Sequence, residues 1–365
     1  MILRPDKPIS RPEFWLYRHY QTVHGVRIAI AFLLSFLLVR LLHIPEGSWP
    51  LITLVVVMGP ISSWGNVFPR AVQRIIGTIA GSVSGLIALK IELYSLPLML
   101  AWYFQTRAQV ATWCGIVMFV CGYLTLGKRP YMALLIGITL GVVVGAPPGD
   151  FLTALWRGGD VIFGSVLAVI FTGIWAQRAY TFWRIRMSDA LIASLKIYQT
   201  GLSPNLLEKP RLNTSIQQLT SGSVKIRSLL EPSSKETRIP KSVFEAIQTI
   251  QRNMVYTLEM QINAWWASRE SHLLLLNAPT LRRTQALTEN LFRTLSGMLK
   301  TGKTDQVSAT IAELDEMKRE LSGLLSKAEH AKAEATPVYG YVWLSLELHG
   351  QLVRLHELIR MVLRK

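Results

Sequence analysis

Arginines set into apolar sequence are the side chains of this chain best placed to do chemistry. Arg27, Arg70, Arg74 and Arg157 each lie within or beside a long hydrophobic stretch. A guanidinium there is expensive to bury and calls for an anion, a carbonyl or an acidic side chain beside it. Near membrane openings such groups would raise the local concentration of carboxylates, because the adjoining low-dielectric bilayer strengthens their field. The plainer account is structural. Arg27 and Arg40, towards the two ends of the first stretch, are long enough to snorkel to the interface, and Arg157 has Asp160 three residues away as a local partner.

Other chemistries are not written in the sequence. It has no P-loop, no G-x-S-x-G, no H-E-x-x-H and no dinucleotide-binding glycine pattern. Cys114 and Cys121, seven apart in one apolar stretch, are expected to be packing residues on a shared face rather than redox or metal groups. The histidines form no ligand cluster. No enzyme activity, cofactor or metal is expected, and without a P-loop any pumping draws on something other than ATP bound by this chain.

The elements that would position the arginines are membrane helices. Half of the 365 residues are hydrophobic and only 17% are charged, a composition too apolar for an ordinary soluble protein. Runs near twenty residues, enough to cross roughly 30 Å of hydrocarbon, fall at 26–43, 50–67, 73–91, 110–127, 131–148 and 160–178. One such run alone is readable as a buried core helix. Six in succession leave no polar surface to cover such a core, so the expectation is an all-α polytopic protein: a six-helix transmembrane domain over 26–180, an N-terminal segment at 1–25 and a helical-bundle domain at 187–365. A signal peptide is not expected, since Met1–Tyr20 is polar, basic and aromatic. Leu96–Phe104, short and followed by Arg107, is read as an interfacial or re-entrant segment.

Basic residues favour one side. Arg4, Lys7, Arg11 and Arg18 precede the first run, Arg70 and Arg74 lie between the second and third, Lys128 and Arg129 between the fourth and fifth, and Arg178, Arg184 and Arg186 follow the sixth. The positive-inside bias then makes both termini cytoplasmic in a bacterial inner membrane. It also accounts for much of the net charge of +16. Sixteen basic and six acidic residues fall up to Arg186, against 23 and 17 afterwards. The second half is therefore an ordinary solvated surface, and nucleic acid is not an expected partner.

Beyond Arg186 the periodicity becomes that of amphipathic helices. Phe244, Ile247, Ile250, Met254, Leu258, Ile262 and Trp265 recur at three and four residues, as do Leu348, Leu352, Leu355, Ile359 and Val362. With Pro240, Pro279 and Gly302 as limits and Glu231–Ser234 as a break, helices are predicted at 187–200, 211–229, 241–271, 280–300, 304–330 and 338–363.

In the third run Gly77, Gly81 and Gly85 recur every four residues with Thr78 and Ser82 beside them and Ser84 close by. Such a flat ridge lets another helix backbone approach closely, either within one membrane block or between two. The pattern Pro60, Trp64, Pro69, Arg70, Arg74, Gly77, Thr78, Gly81, Gly85, followed by Gly127, Lys128, Pro130 and Tyr131 and then Arg157, Asp160 and Gly164, resembles the fusaric-acid-resistance and aromatic-acid-exporter family of inner-membrane proteins. The resemblance extends over the full chain, though the stretch between Ile91 and Gly127 is longer than the family pattern. It implies export of small organic anions, aromatic carboxylic acids above all. Many members carry two membrane blocks where this chain carries one, so it also implies a homodimer in contact with membrane lipid. The competing expectation, from a different class, is a membrane-anchored scaffold or sensor that works through the helical domain.

Overall fold

The computed structural model describes residues 7–45, 47–58, 64–94, 100–127, 129–145, 151–174, 177–203, 208–267, 279–303 and 335–364. The chain is an all-α polytopic membrane protein with a C-terminal helical bundle, and it divides into two compact units. One comprises residues 18–177; the other combines residues 1–17 with residues 178–365.

In the first unit, α2 (Tyr20–Leu41), α3 (Ser48–Met58), α4 (Trp64–Tyr94), α5 (Leu100–Thr125), α6 (Pro130–Val144) and α7 (Phe151–Ile174) follow α1 (Arg11–Arg18). Among the described residues, α2, α4, α5 and α7 are long and apolar enough to cross a bilayer, while α3 and α6 are shorter apolar helices. Several boundaries differ from the sequence expectation for one reason: charged or imino residues taken as links are carried inside helices. α4 runs unbroken through Pro69, Arg70 and Arg74, so Pro69 forgoes one backbone bond without ending the helix. The gap between α3 and α4 falls at 59–63, outside the described residues, rather than after residue 67. α7 starts at Phe151, which puts Arg157 and Asp160 within the helix instead of at its mouth. α5 starts at Leu100, so residues 100–109 are its opening turns and not a separate segment, while 96–99 lie outside the described residues.

The glycine ridge is spent inside this unit. A Cβ on Gly77 would lie 2.9 Å from both Leu135 Cβ and the Met132 carbonyl oxygen. On Gly81 it would lie 2.6 Å from Thr139 Cβ, and on Gly85 2.5 Å from Val143 Cγ1. Leu135, Thr139 and Val143 repeat at the same four-residue spacing, so α4 and α6 meet ridge to ridge with backbones nearly touching. Lipid supplies no hydrophobic drive between helices, and this close van der Waals fit is what holds the pair. Trp113 on α5 adds an indole N–H donated to the Ser84 carbonyl of α4 at 3.1 Å. Ala31, Leu54, Val57, Met58, Ala71, Leu167 and Ala168 fill the space among α2, α3, α4 and α7.

The second unit is a helical bundle of α8 (Ala179–Gly201), α9 (Asn213–Arg227), α10 (Leu230–Thr237), α11 (Lys241–Trp265), α12 (Pro279–Thr301) and α13 (Ala335–Arg364), joined by α1. The predicted helix at 304–330 lies outside the described residues. Residues 179–186, passed over as a charged exit, open α8 and sit in the core: Tyr180, Trp183 and Ile185 are fully buried. Trp183 meets the Phe244 ring edge-on at 4.9 Å. The break expected at Glu231–Ser234 is instead α10, since Pro232 falls in its first turn, where no backbone donor is needed. Arg238, at φ 60°, ends it. Between α11 and α13, Gln261 donates to Ser345 Oγ at 2.8 Å, and Gln285 on α12 donates to the Tyr341 hydroxyl at 2.9 Å. Burial pushes that phenol up to about 12, which the bonds with Gln285, Ser345 and Gln261 partly offset, so it stays neutral.

Arg184, counted among the anchoring cations from sequence, is buried as a clasp. Its Nε donates to the Leu299 carbonyl at 2.7 Å and its Nη1 to the Lys7 carbonyl at 2.7 Å. Leu299 is in the last turn of α12, where carbonyls lack intrahelical partners and welcome a cation. The Ile9 N–H donates to the Lys300 carbonyl at 2.9 Å, and Tyr17 meets Phe182 edge-on at 4.6 Å. α1 itself begins with a capping box: Ser10 Oγ accepts from the Glu13 N–H at 3.3 Å while Glu13 Oε2 accepts from the Ser10 N–H at 2.8 Å. At the other end, both oxygens of Glu236 accept from the Ala179 and Tyr180 N–H groups at 3.0 Å, capping α8.

Two outcomes follow. Arg184→Met leaves the Leu299 and Lys7 carbonyls short of a donor, so the bundle should lose about 2–3 kcal/mol, read as a lowered unfolding midpoint of the purified protein. Gly81→Leu overpacks the α4–α6 contact by roughly 1–3 kcal/mol or more. Its folded yield in mild detergent should fall well below that of Ile79→Leu, which lies on the exposed side of the same helix.

Candidate functional site

The interior of the membrane unit carries a second stripe on α4, adjoining that of the glycines. Arg74, Thr78 and Ser82 follow one another at four-residue steps, about 12 Å of helix at 1.5 Å per residue. Arg74 is only 6% exposed, and its Nη2 donates to Thr53 Oγ1 of α3 at 3.1 Å. That is the single bond its guanidinium makes among the described residues; its Nε, the Thr78 hydroxyl and the Ser82 hydroxyl are buried without a hydrogen-bond partner there. Hydroxyls inside helices commonly bond back to a carbonyl one turn earlier. Here Thr78 and Ser82 do not, so they stay available.

Three helices converge at this point. Gly164 of α7 lies so close to α3 that a Cβ on it would collide with the Pro50 carbonyl and approach Thr53 Cβ to 2.9 Å. Further along, a Cβ on Gly158 would come 2.9 Å from Ser82 Oγ. Asp160, one turn before Gly164 and on the same face, is almost fully buried. α3, α4 and α7 thus enclose a polar seam of Arg74 and the hydroxyls of Thr53, Thr78 and Ser82. Such a seam is costly to bury in an apolar unit and offers donors to a polar guest.

The four arginines read from sequence part company. Arg70 and Arg74 are one turn apart on α4, yet Arg70 lies over the Tyr131 ring of α6, 5.2 Å from its centroid, while Arg74 turns to α3. Arg27 is buried on α2 with its Nη2 2.9 Å from His24 Nδ1 of the same helix. Arg157 donates to the Val142 carbonyl at 2.8 Å, in the last turn of α6, and so serves as a cap for that helix. Arg74 is left as the arginine aimed into the seam. Arg40 stacks on Phe36 at 5.4 Å.

Of the remaining motif positions, Pro69 lies inside α4, Gly127 follows α5 in a turn, and Pro130 starts α6, where its missing N–H is harmless. Pro60, Lys128 and the Trp64 side chain lie outside the described residues. Cys114 and Cys121 are free thiols, half-buried and buried, and the described residues hold no cluster of metal-ligating side chains. Sequence reasoning missed Thr53 and read Ser82 only as part of the flat ridge beside the glycines. Thr53 carries no sequence signal, since a lone threonine in an apolar run reads as filler. Ser82 did carry one, its four-residue step from Arg74 through Thr78.

Residues 30–171, almost the whole membrane unit, match the family described as Fusaric acid resistance protein-like. The chain is 53% identical over 363 residues to Inner membrane protein YeeA of Escherichia coli (strain K12), covering all of both chains. It is also 25% identical over 193 residues to Uncharacterized protein slr1298 of Synechocystis sp., a match covering 52% of this chain and 24% of that protein. The likeness to the first relative runs through membrane helices and bundle alike, and the chain belongs to the fusaric acid resistance protein-like family as a multi-pass bacterial inner-membrane protein.

Proposed function

We propose that the chain carries small organic anions, aromatic carboxylic acids foremost, out of the cell through the seam of α3, α4 and α7. The observation that carries this reading is Arg74: a buried guanidinium without a salt bridge among the described residues, its Nε unused beside two unused hydroxyls. A buried guanidinium with no ion pair among the described residues is poised to accept a carboxylate, which would replace lost hydration with charge-assisted hydrogen bonds. Family membership supports the coarser statement, a membrane transporter or facilitator.

In this reading all of α2–α7 cross the membrane, six passes in total, and both termini face the cytoplasm, where the basic residues accumulate. A homodimer completes the assembly. The apolar stretch of α5 is 6% buried against 44% for α7, so α5 offers a face to lipid or to a second copy. The glycine ridge is already taken by α6 and plays no part in that contact.

Cells lacking the gene should accumulate a labelled aromatic acid that producing cells keep out. Arg74→Gln should cut export about tenfold, the loss of one charge-assisted bond, at unchanged membrane abundance. Arg157→Gln should act chiefly on folded yield. Equal accumulation with and without the gene across a broad panel of acids would sink the transport reading and make the helical bundle the working part. Reporter fusions after Gly127 and Lys365 should read cytoplasmic and those near Glu46 periplasmic; a periplasmic carboxy terminus would overturn the six-pass topology.

A further inference from the structure

α8 and α9 of the bundle do not close against each other along their whole length. They leave a cavity of about 470 Å³, within the range of sites that hold drug-sized organic molecules. The room comes from small residues: Ala190 and Ala193 on α8, and Gly222 on α9, where an added Cβ would meet nothing within 4 Å. A glycine in the middle of a helix disfavours that helix, and no close backbone approach explains this one. Ile197, Leu212 and Leu219 give the cavity an apolar floor.

Its rim is basic. Arg186 and Lys196 from α8 and Arg211 from the approach to α9 line it, with Asp189 as the acidic residue among the lining groups. Arg186 rests on the Tyr17 ring at 5.5 Å. Lys196 and Arg211 form no hydrogen bond or ion pair among the described residues, whereas other exposed cations of the same bundle are committed, Lys235 to Glu231 and Arg293 to Glu289. Ser215 and Gln218 add polar groups on the α9 side. An apolar floor under uncommitted cations matches a ligand with a flat apolar body and one negative head.

We infer that this cavity is a binding site for an amphipathic organic acid, of about two-ring size, in the helical bundle and apart from the membrane seam. The acid's rings lie on Ile197, Leu212 and Leu219, and its carboxylate meets Lys196 and Arg211. The site stands on the bundle's own geometry and does not require that the chain transport anything.

The probe is 2-naphthoate, titrated calorimetrically into the purified full chain in mild detergent against protein-free micelles. Saturable binding at one site per chain is expected, weakened about tenfold by Arg211→Gln and again by Lys196→Gln, both exposed positions whose loss spares folding. Gly222→Leu fills the cavity while favouring the helix, so it should abolish this binding with the unfolding midpoint unchanged or raised. Arg74→Gln, in the membrane seam, should leave it intact, which separates this site from the proposed conduit. Absence of saturable binding, equal binding by the Gly222→Leu protein, or equal affinity for the uncharged 2-naphthamide would each overturn the assignment.

Discussion

Everything in the membrane unit depends on how closely α4 can approach its neighbours. Three glycines let its backbone lie against α6, where Leu135, Thr139 and Val143 fill that face, and the neighbouring stripe of Arg74, Thr78 and Ser82 is left to turn inward. A bulkier ridge would push the helices apart, and Arg74, Thr78 and Ser82 would lose the walls that keep them from lipid. Close packing and the buried cation thus belong to adjoining stripes of a single helix. The energy for it cannot come from burying apolar surface, since lipid is as apolar as a leucine side chain; it comes from van der Waals fit and from the few hydrogen bonds that cross between helices.

Much of this was legible in the sequence, and the reasons it was legible are physical. Long apolar runs announce membrane helices because backbone groups in lipid must be satisfied within the segment. The four-residue recurrence of Gly77, Gly81 and Gly85 announces a packing face because helical geometry puts those positions on one side. The amphipathic stripes of α11 and α13 were equally plain, and Phe244, Leu258, Leu352 and Ile359 are core residues.

What was not legible was mostly the fate of charge. Sequence alone treats an arginine as a reason to end a helix or anchor it to a headgroup. Here Arg74 is swallowed mid-helix, Arg157 caps α6 and Arg184 caps α12. Each is tolerated because a specific acceptor from elsewhere in the chain lies within reach, and such long-range pairing leaves no periodic trace. The same blindness hid the partner of the Glu236 carboxylate, 56 residues away at the start of α8, and the cavity beside Gly222, which is visible only once two helices are seen not to touch.

The clasp at Arg184 carries a consequence for topology. One soluble body is built from both ends of the chain, residues 1–17 and 178–365, with the entire membrane block threaded between them. Lys7 and Arg184, bonded to each other, flank that block in sequence. A folded body of this kind occupies a single aqueous compartment, so the chain that leaves it must come back to the same side. The proposed six crossings meet that requirement of an even number, and a guanidinium and a carbonyl support it without counting a single lysine in a loop. The clasp also orders biogenesis: Lys7 and Ile9 are made before the membrane helices, whereas the groups that bond them, Arg184 and Lys300, are made only after α7.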